Sequence, residues 1–292
     1  MAAKILLPLR SIFIVFIHIV LFDSIALAIS GLSSSLSSSL SLPEEYSILK
    51  DNHDVYRDKY VPAPSSAPSS APNPPVTSCE MDLDGIGSFD TLCQMRSSLE
   101  LTEDIHILGS GSFEILDDVE LSCPLSGCSL VFNLSGEIRM RNGSAIVAGS
   151  IYIEALNVSV AETAVVNASA LGGDPPEDSS GVPLGTFGDG GGYGGRGASC
   201  YNEQDKLQGD SWGGDAYGWL SLMYPDMYGS KGGTTSREVD YGGGGGGKVR
   251  ILAGDMLEFG GTILADGGDA GELGGGGSGG SIFLTANKIM WW

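Results

Sequence analysis

Three stretches of this chain share one pattern, and that pattern limits the fold more than any other feature. Gly149-Ser-Ile-Tyr-Ile-Glu-Ala155, Gly247-Lys-Val-Arg-Ile-Leu-Ala253 and Gly280-Ser-Ile-Phe-Leu-Thr-Ala286 each read glycine, small or polar, β-branched, any, aliphatic, any, alanine. Side chains alternate across a strand, so Ile151, Ile153 and Ala155 share one face. Val249, Ile251 and Ala253 match them, as do Ile282, Leu284 and Ala286. Three positions on, Val158, Met256 and Ile289 add a further apolar residue to each copy. The first two copies are followed by Ala170-Leu-Gly-Gly-Asp174 and Ala265-Asp-Gly-Gly-Asp269, which lead into glycine-rich sequence.

The copies start 98 residues apart (149 to 247) and then 33 apart (247 to 280). Matched strands at unequal spacing predict a solenoid whose loops vary in length on one side. One coil cannot bury its apolar face alone, so like residues stack on like residues about 4.8 Å apart in successive coils. The fold expected is all-β, a right-handed parallel β-helix with long glycine-rich loops. A β-sandwich is the alternative, since short alternating strands serve it equally well. Shorter runs at 105–108, 113–116, 119–121 and 138–140 fit either fold. Asp90-Thr-Leu-Cys-Gln-Met95 reads as a short helix with Asp90 as its N-cap.

The glycine run Gly242–Gly247 before Lys248 invites a phosphate-loop reading. That loop needs Ser or Thr after the lysine, to hold Mg²⁺, and a helix to follow. Val249 stands at the hydroxyl's place and begins a strand-like run instead. Nucleotide binding is therefore excluded, and no cofactor-binding motif occurs elsewhere.

Lys4 and Arg10 precede an apolar run, Ser11 to Ala28, that ends in Ala26-Leu27-Ala28. Basic region, apolar region and small-x-small site predict a secretory signal peptide over 1–28. A Ser/Pro-rich linker is expected over 29–78, and the glycine-rich β-solenoid over 79–292. In an oxidising compartment Cys79, Cys93, Cys123 and Cys128 are disulfide candidates, with Cys200 the odd one. Their spacing does not suit a metal site. Sequons at Asn133, Asn142, Asn157 and Asn167 suggest a sugar-coated face. A net charge of −21 argues against nucleic acid as a partner, and against anionic polysaccharide unless a cation bridges the two.

Catalytic constellations are thin. His106 is the one histidine outside the signal peptide and linker, and neither GxSxG nor HExxH occurs. Carboxylates are plentiful, but no spacing singles out a glycosidase pair. The Gly-Asp stretches near 189 and 266 lack the regular register of calcium-binding repeats, and turn formation explains them more simply. Tyr193, Trp212, Tyr217 and Trp219 fall within one insertion. Such rings either stack on sugars or pin the insertion to the coil, and pinning is the simpler reading.

At Gly191–Cys200 (GGYGGRGASC), Trp212-Gly-Gly-Asp215, Tyr228–Ser236 (YGSKGGTTS), Tyr241–Gly247 and Gly274–Ile282 (GGGGSGGSI), the chain resembles a family of large plant glycine-rich cell-surface proteins. The resemblance runs from about Cys79 to the end of the chain. It implies an N-terminal piece of a longer protein, with any membrane anchor lying farther on, and no catalytic residues. The expected function is a non-enzymatic structural or interaction role at the cell wall or outer plasma membrane. Partners would be cell-wall polysaccharide or other extracellular proteins. The competing expectation is a carbohydrate-binding or carbohydrate-active β-helix protein acting on wall polysaccharide.

Overall fold

The computed structural model describes residues 77–184, 187–199, 212–218 and 225–291. The signal peptide, nearly all of the linker, Cys200 and Trp219 lie outside the described residues. Among the described residues there is no helix, and most strand pairs are parallel. The fold is all-β, and its long pairings are unlike the antiparallel ones of a typical sandwich.

The strands recur in a fixed order. Ile86–Gly87 (β1), Leu92–Met95 (β2) and Leu99–Glu100 (β3) form the N-terminal end. Each later round gives two segments to a nine-stranded sheet and then one to a five-stranded sheet. The first round is Ile105–Gly109 (β4), Ser112–Ile115 (β5) and Glu120–Cys123 (β6). The second is Ser129–Leu134 (β7), Glu137–Met140 (β8) and Ala145–Ala148 (β9). Ser150–Val160 (β10) then spans both places in the large sheet, followed by Val165–Asn167 (β11) in the small one. Pro183–Leu184 (β12) and Phe187–Gly188 (β13) make a small antiparallel ribbon inside the long insertion. The order resumes with Lys248–Phe259 (β14), Thr262–Leu264 (β15) and Ser281–Trp291 (β16).

The three repeat copies lie side by side. Ile151 pairs with Val249, and Val249 with Ile282, in parallel register. Ile105, Leu130, Ile151 and Val249 form one inward column, while Cys93, Phe113, Ile138, Val158 and Leu257 form another. Each fully buried aliphatic side chain contributes about 1.5–3 kcal/mol relative to exposure. Phe113 stacks on Phe132 with centroids 5.7 Å apart, and Phe89 meets Phe113 edge-on.

Two sequence expectations need correction. Leu92–Met95 is a strand and not a helix, because pairing with Ser112–Ile115 turns Cys93 and Met95 into the core. Tertiary pairing overrides a weak capping signal there. In the second copy the inward residue is Leu257 and not Met256. A register shift after Ala253 inserts an extra residue in β14, so Met256 lies opposite Asn157 while Leu257 faces Val158. The ordered fold also takes in Thr77, whose N–H donates to the His106 carbonyl.

Both long insertions, 168–247 and 265–280, leave the small sheet and return to the large one. The glycine segments in them are packed backbone to backbone. Gly191 N–H donates to Gly276 O, Gly233 to Asp189 O, Gly275 to Gly233 O, Gly232 to Gly243 O, and Gly243 to Gly275 O. Glycine is required here for space. A Cβ on Gly275 would come 1.9 Å from the Asp189 carbonyl oxygen, and one on Gly243 2.1 Å from that of Gly268. Neither glycine has the left-handed φ that would demand it on conformational grounds.

Candidate functional site

Alternation that sends apolar side chains inward sends polar ones onto the outer face of the large sheet. Gln94, Glu114 and Arg139 occupy one outward column on β2, β5 and β8. The Glu114 side chain is 6% exposed and receives bonds from Gln94 Nε2 at 2.7 Å and Arg141 Nε at 2.6 Å. Arg139 lies 3.7 Å from the same carboxylate and grips Glu137 with two bonds, of 2.6 and 3.2 Å. Burial alone would raise the Glu114 pKa. The bonds from Gln94 and Arg141, with the charges of Arg141 and Arg139, outweigh it and hold the carboxyl below its ordinary 4.5. A general acid needs the opposite shift. Nothing in the sequence spacing marked this network. Its one signal is that Glu114 and Arg139 each follow an inward core residue, Phe113 and Ile138, at equivalent places on neighbouring strands.

Farther along the face, Tyr152, Arg250 and Phe283 form another column. The Tyr152 phenol donates to Glu154 at 2.7 Å; burial first, then Glu154, pushes its pKa up. The Arg250 guanidinium lies over the Phe283 ring at 4.9 Å. Lys248 pairs with Asp226 at 3.3 Å. Among the described residues no three His, Cys, Asp or Glu side chains are grouped to hold a metal ion.

The glycine layer carries the aromatic candidates. Tyr193 and Tyr217 meet edge to face at 4.4 Å. The Tyr193 phenol bonds to Ser281, and that of Tyr217 donates to the Tyr228 carbonyl and shares a bond with Ser230. Ser230 donates in turn to buried Ser179. Burial pushes both phenol pKa values up. Trp212 differs, being 40% exposed with the Arg196 guanidinium 3.8 Å from its ring centre. Arg196 also pairs with Asp215 at 3.3 Å. Gly242–Gly247 spends its backbone groups on neighbouring segments, and Val249 is buried in the core.

The sequons fall on three surfaces and not on one face. Asn133 and Asn157 stand on the large sheet, Asn142 in the following turn, and Asn167 on the small sheet. Asn133 and Asn142 are exposed, whereas Asn157 buries its Oδ1 without a partner and Asn167 Oδ1 accepts from Ser169 N–H. The cysteines pair as Cys79–Cys93 and Cys123–Cys128. The first staples the N-terminal end, and the second closes the return to the large sheet that later rounds fill with insertions.

No protein-family model matches this chain, and neither a curated protein nor a solved structure matches it.

Proposed function

We propose that this chain is a secreted or cell-surface glycine-rich glycoprotein whose body is a right-handed parallel β-helix, with a structural or interaction role in place of catalysis. The cell wall or outer plasma membrane of a plant is the setting that the glycine-block resemblance suggests. The helix reading is supported by the recurring strand order and by columns kept in register across both insertions. Two disulfides are compatible with an extracellular protein.

One observation carries the non-catalytic reading. Three carboxylates aligned on the large sheet are already engaged, Glu114 by Gln94 and Arg141, Glu137 by Arg139, and Glu154 by Tyr152, while Glu258 stands opposite Ser159 and Met290 with no second carboxylate facing it. The test is to produce the chain through a secretory pathway and incubate it with wall polysaccharides. Recovery outside the cell with no release of reducing ends is expected, and sustained release would overturn the reading.

A second reading, sugar binding without cleavage, is favoured by exposed Trp212 beside Arg196 and Asp215. It expects Trp212→Ala to weaken retention on a polysaccharide column without changing the melting temperature.

A further inference from the structure

Asn133 differs from the other three sequon asparagines in its surroundings. It is exposed on the outer face of β7, with its neighbours Phe132 and Leu134 turned into the core. Directly opposite on β10 stands Glu154, whose Oε2 is 3.5 Å from Asn133 Nδ2 and takes the Tyr152 phenol at 2.7 Å. On the other side stands Leu108, 39% exposed. Residues opposite one another on a sheet have Cβ atoms about 5 Å apart, and diagonal neighbours are within reach of an aromatic ring. Tyr152 is such a diagonal neighbour, and its bond to Glu154 holds the phenol on the Asn133 side.

Resting on the secretory reading above, we propose that Asn133 is an occupied N-glycosylation site whose first sugar packs on a shelf formed by Tyr152, Glu154 and Leu108. The sugar is joined when Asn133 Nδ2 bonds to C1 of an N-acetylglucosamine carried on a lipid diphosphate. The C1–oxygen bond breaks, the lipid diphosphate leaves, and one amide proton passes to solvent. The remaining Nδ2–H still faces Glu154. A pyranose has an apolar face and a hydroxyl rim, which suits an aromatic ring beside a carboxylate. The other sequons lack that pairing among the described residues. Asn142 lies in a turn beside Asp118 and Thr163, Asn157 opposite Glu137 and Met256, and Asn167 opposite Val147 and Leu264.

The experiment is glycopeptide mass spectrometry of the full chain secreted from eukaryotic cells, with thermal melts of Tyr152→Ala, Asn133→Gln and the double variant. Sugar on Asn133 is expected, with Tyr152→Ala lowering Tm by about 2–4 °C in the glycosylated protein and far less in the Asn133→Gln background. Tyr152→Phe keeps the ring and should keep most of the difference. Equal Tyr152→Ala effects in both backgrounds would overturn the shelf. A secreted chain with no sugar on Asn133 overturns this inference alone, while failure to recover the chain outside the cell overturns the secretory reading with it.

Discussion

Replacing Gly243 by alanine tests whether the glycine layer is packed structure. An added Cβ would lie 2.1 Å from the Gly268 carbonyl oxygen and 2.8 Å from Gly277 N, against an ordinary contact of 3.4 Å or more. Each atom met is backbone, so no side chain can rotate away, and segment 266–268 must retreat by about 1.3 Å. Two bonds hold Gly268 itself in place, its N–H to Gly244 O at 2.7 Å and Gly277 N–H to its carbonyl at 3.0 Å. After such a shift neither remains within hydrogen-bond distance. Each lost bond costs about 0.5–1.5 kcal/mol net, and more where the freed group stays buried, for a total of about 2–4 kcal/mol. With about 2–4 °C per kcal/mol, Tm should fall by roughly 4–16 °C. Hydrogen exchange should speed up first in peptides covering 229–247 and 266–280. The control is Gly195→Ala, whose Cβ meets nothing within 4 Å and whose φ is not left-handed, so its Tm should hold or rise slightly. Unchanged Tm and exchange in Gly243→Ala would refute the packing argument.

Other outcomes follow from the same structure. The Glu114 carboxyl is held below 4.5 in the folded chain, so its stabilisation is complete above the ordinary carboxylate range and is lost as pH falls through that lowered value. Glu114→Gln should therefore cost about 1–2 kcal/mol at pH 7 and flatten the loss of Tm below about pH 4, read from melts across pH. Phe113→Ala empties the middle of the Phe89–Phe113–Phe132 stack and should cost about 3–5 kcal/mol in denaturant unfolding. Replacing both Cys79 and Cys93 by serine opens a closure of 14 residues and should cost about 3 kcal/mol. The same change at Cys123 and Cys128, 5 apart, should cost less because a shorter loop restricts the unfolded chain less.

The sequence by itself determined the three repeat strands and the register of their first halves, Gly149–Ala155, Gly247–Ala253 and Gly280–Ala286. Alternating side chains write a strand's inward face into the chain, so matching Ile151, Val249 and Ile282 was enough to place three strands together across insertions of unequal length. It also narrowed the cysteine pairs, which are close in sequence. Where local pattern and pairing disagreed, pairing won: Leu92–Met95 became a strand, and Leu257 took the place that spacing gave to Met256. The ion network around Glu114 needed the fold, because Gln94, Arg139 and Arg141 reach it only from adjacent strands. The glycine layer was the least legible part. A residue without a side chain leaves no periodic trace, so nothing in Gly242–Gly247 names Gly268, Gly275 or Ser278 as its neighbours. Only the fit of one backbone against another decides that, and that fit exists in three dimensions alone.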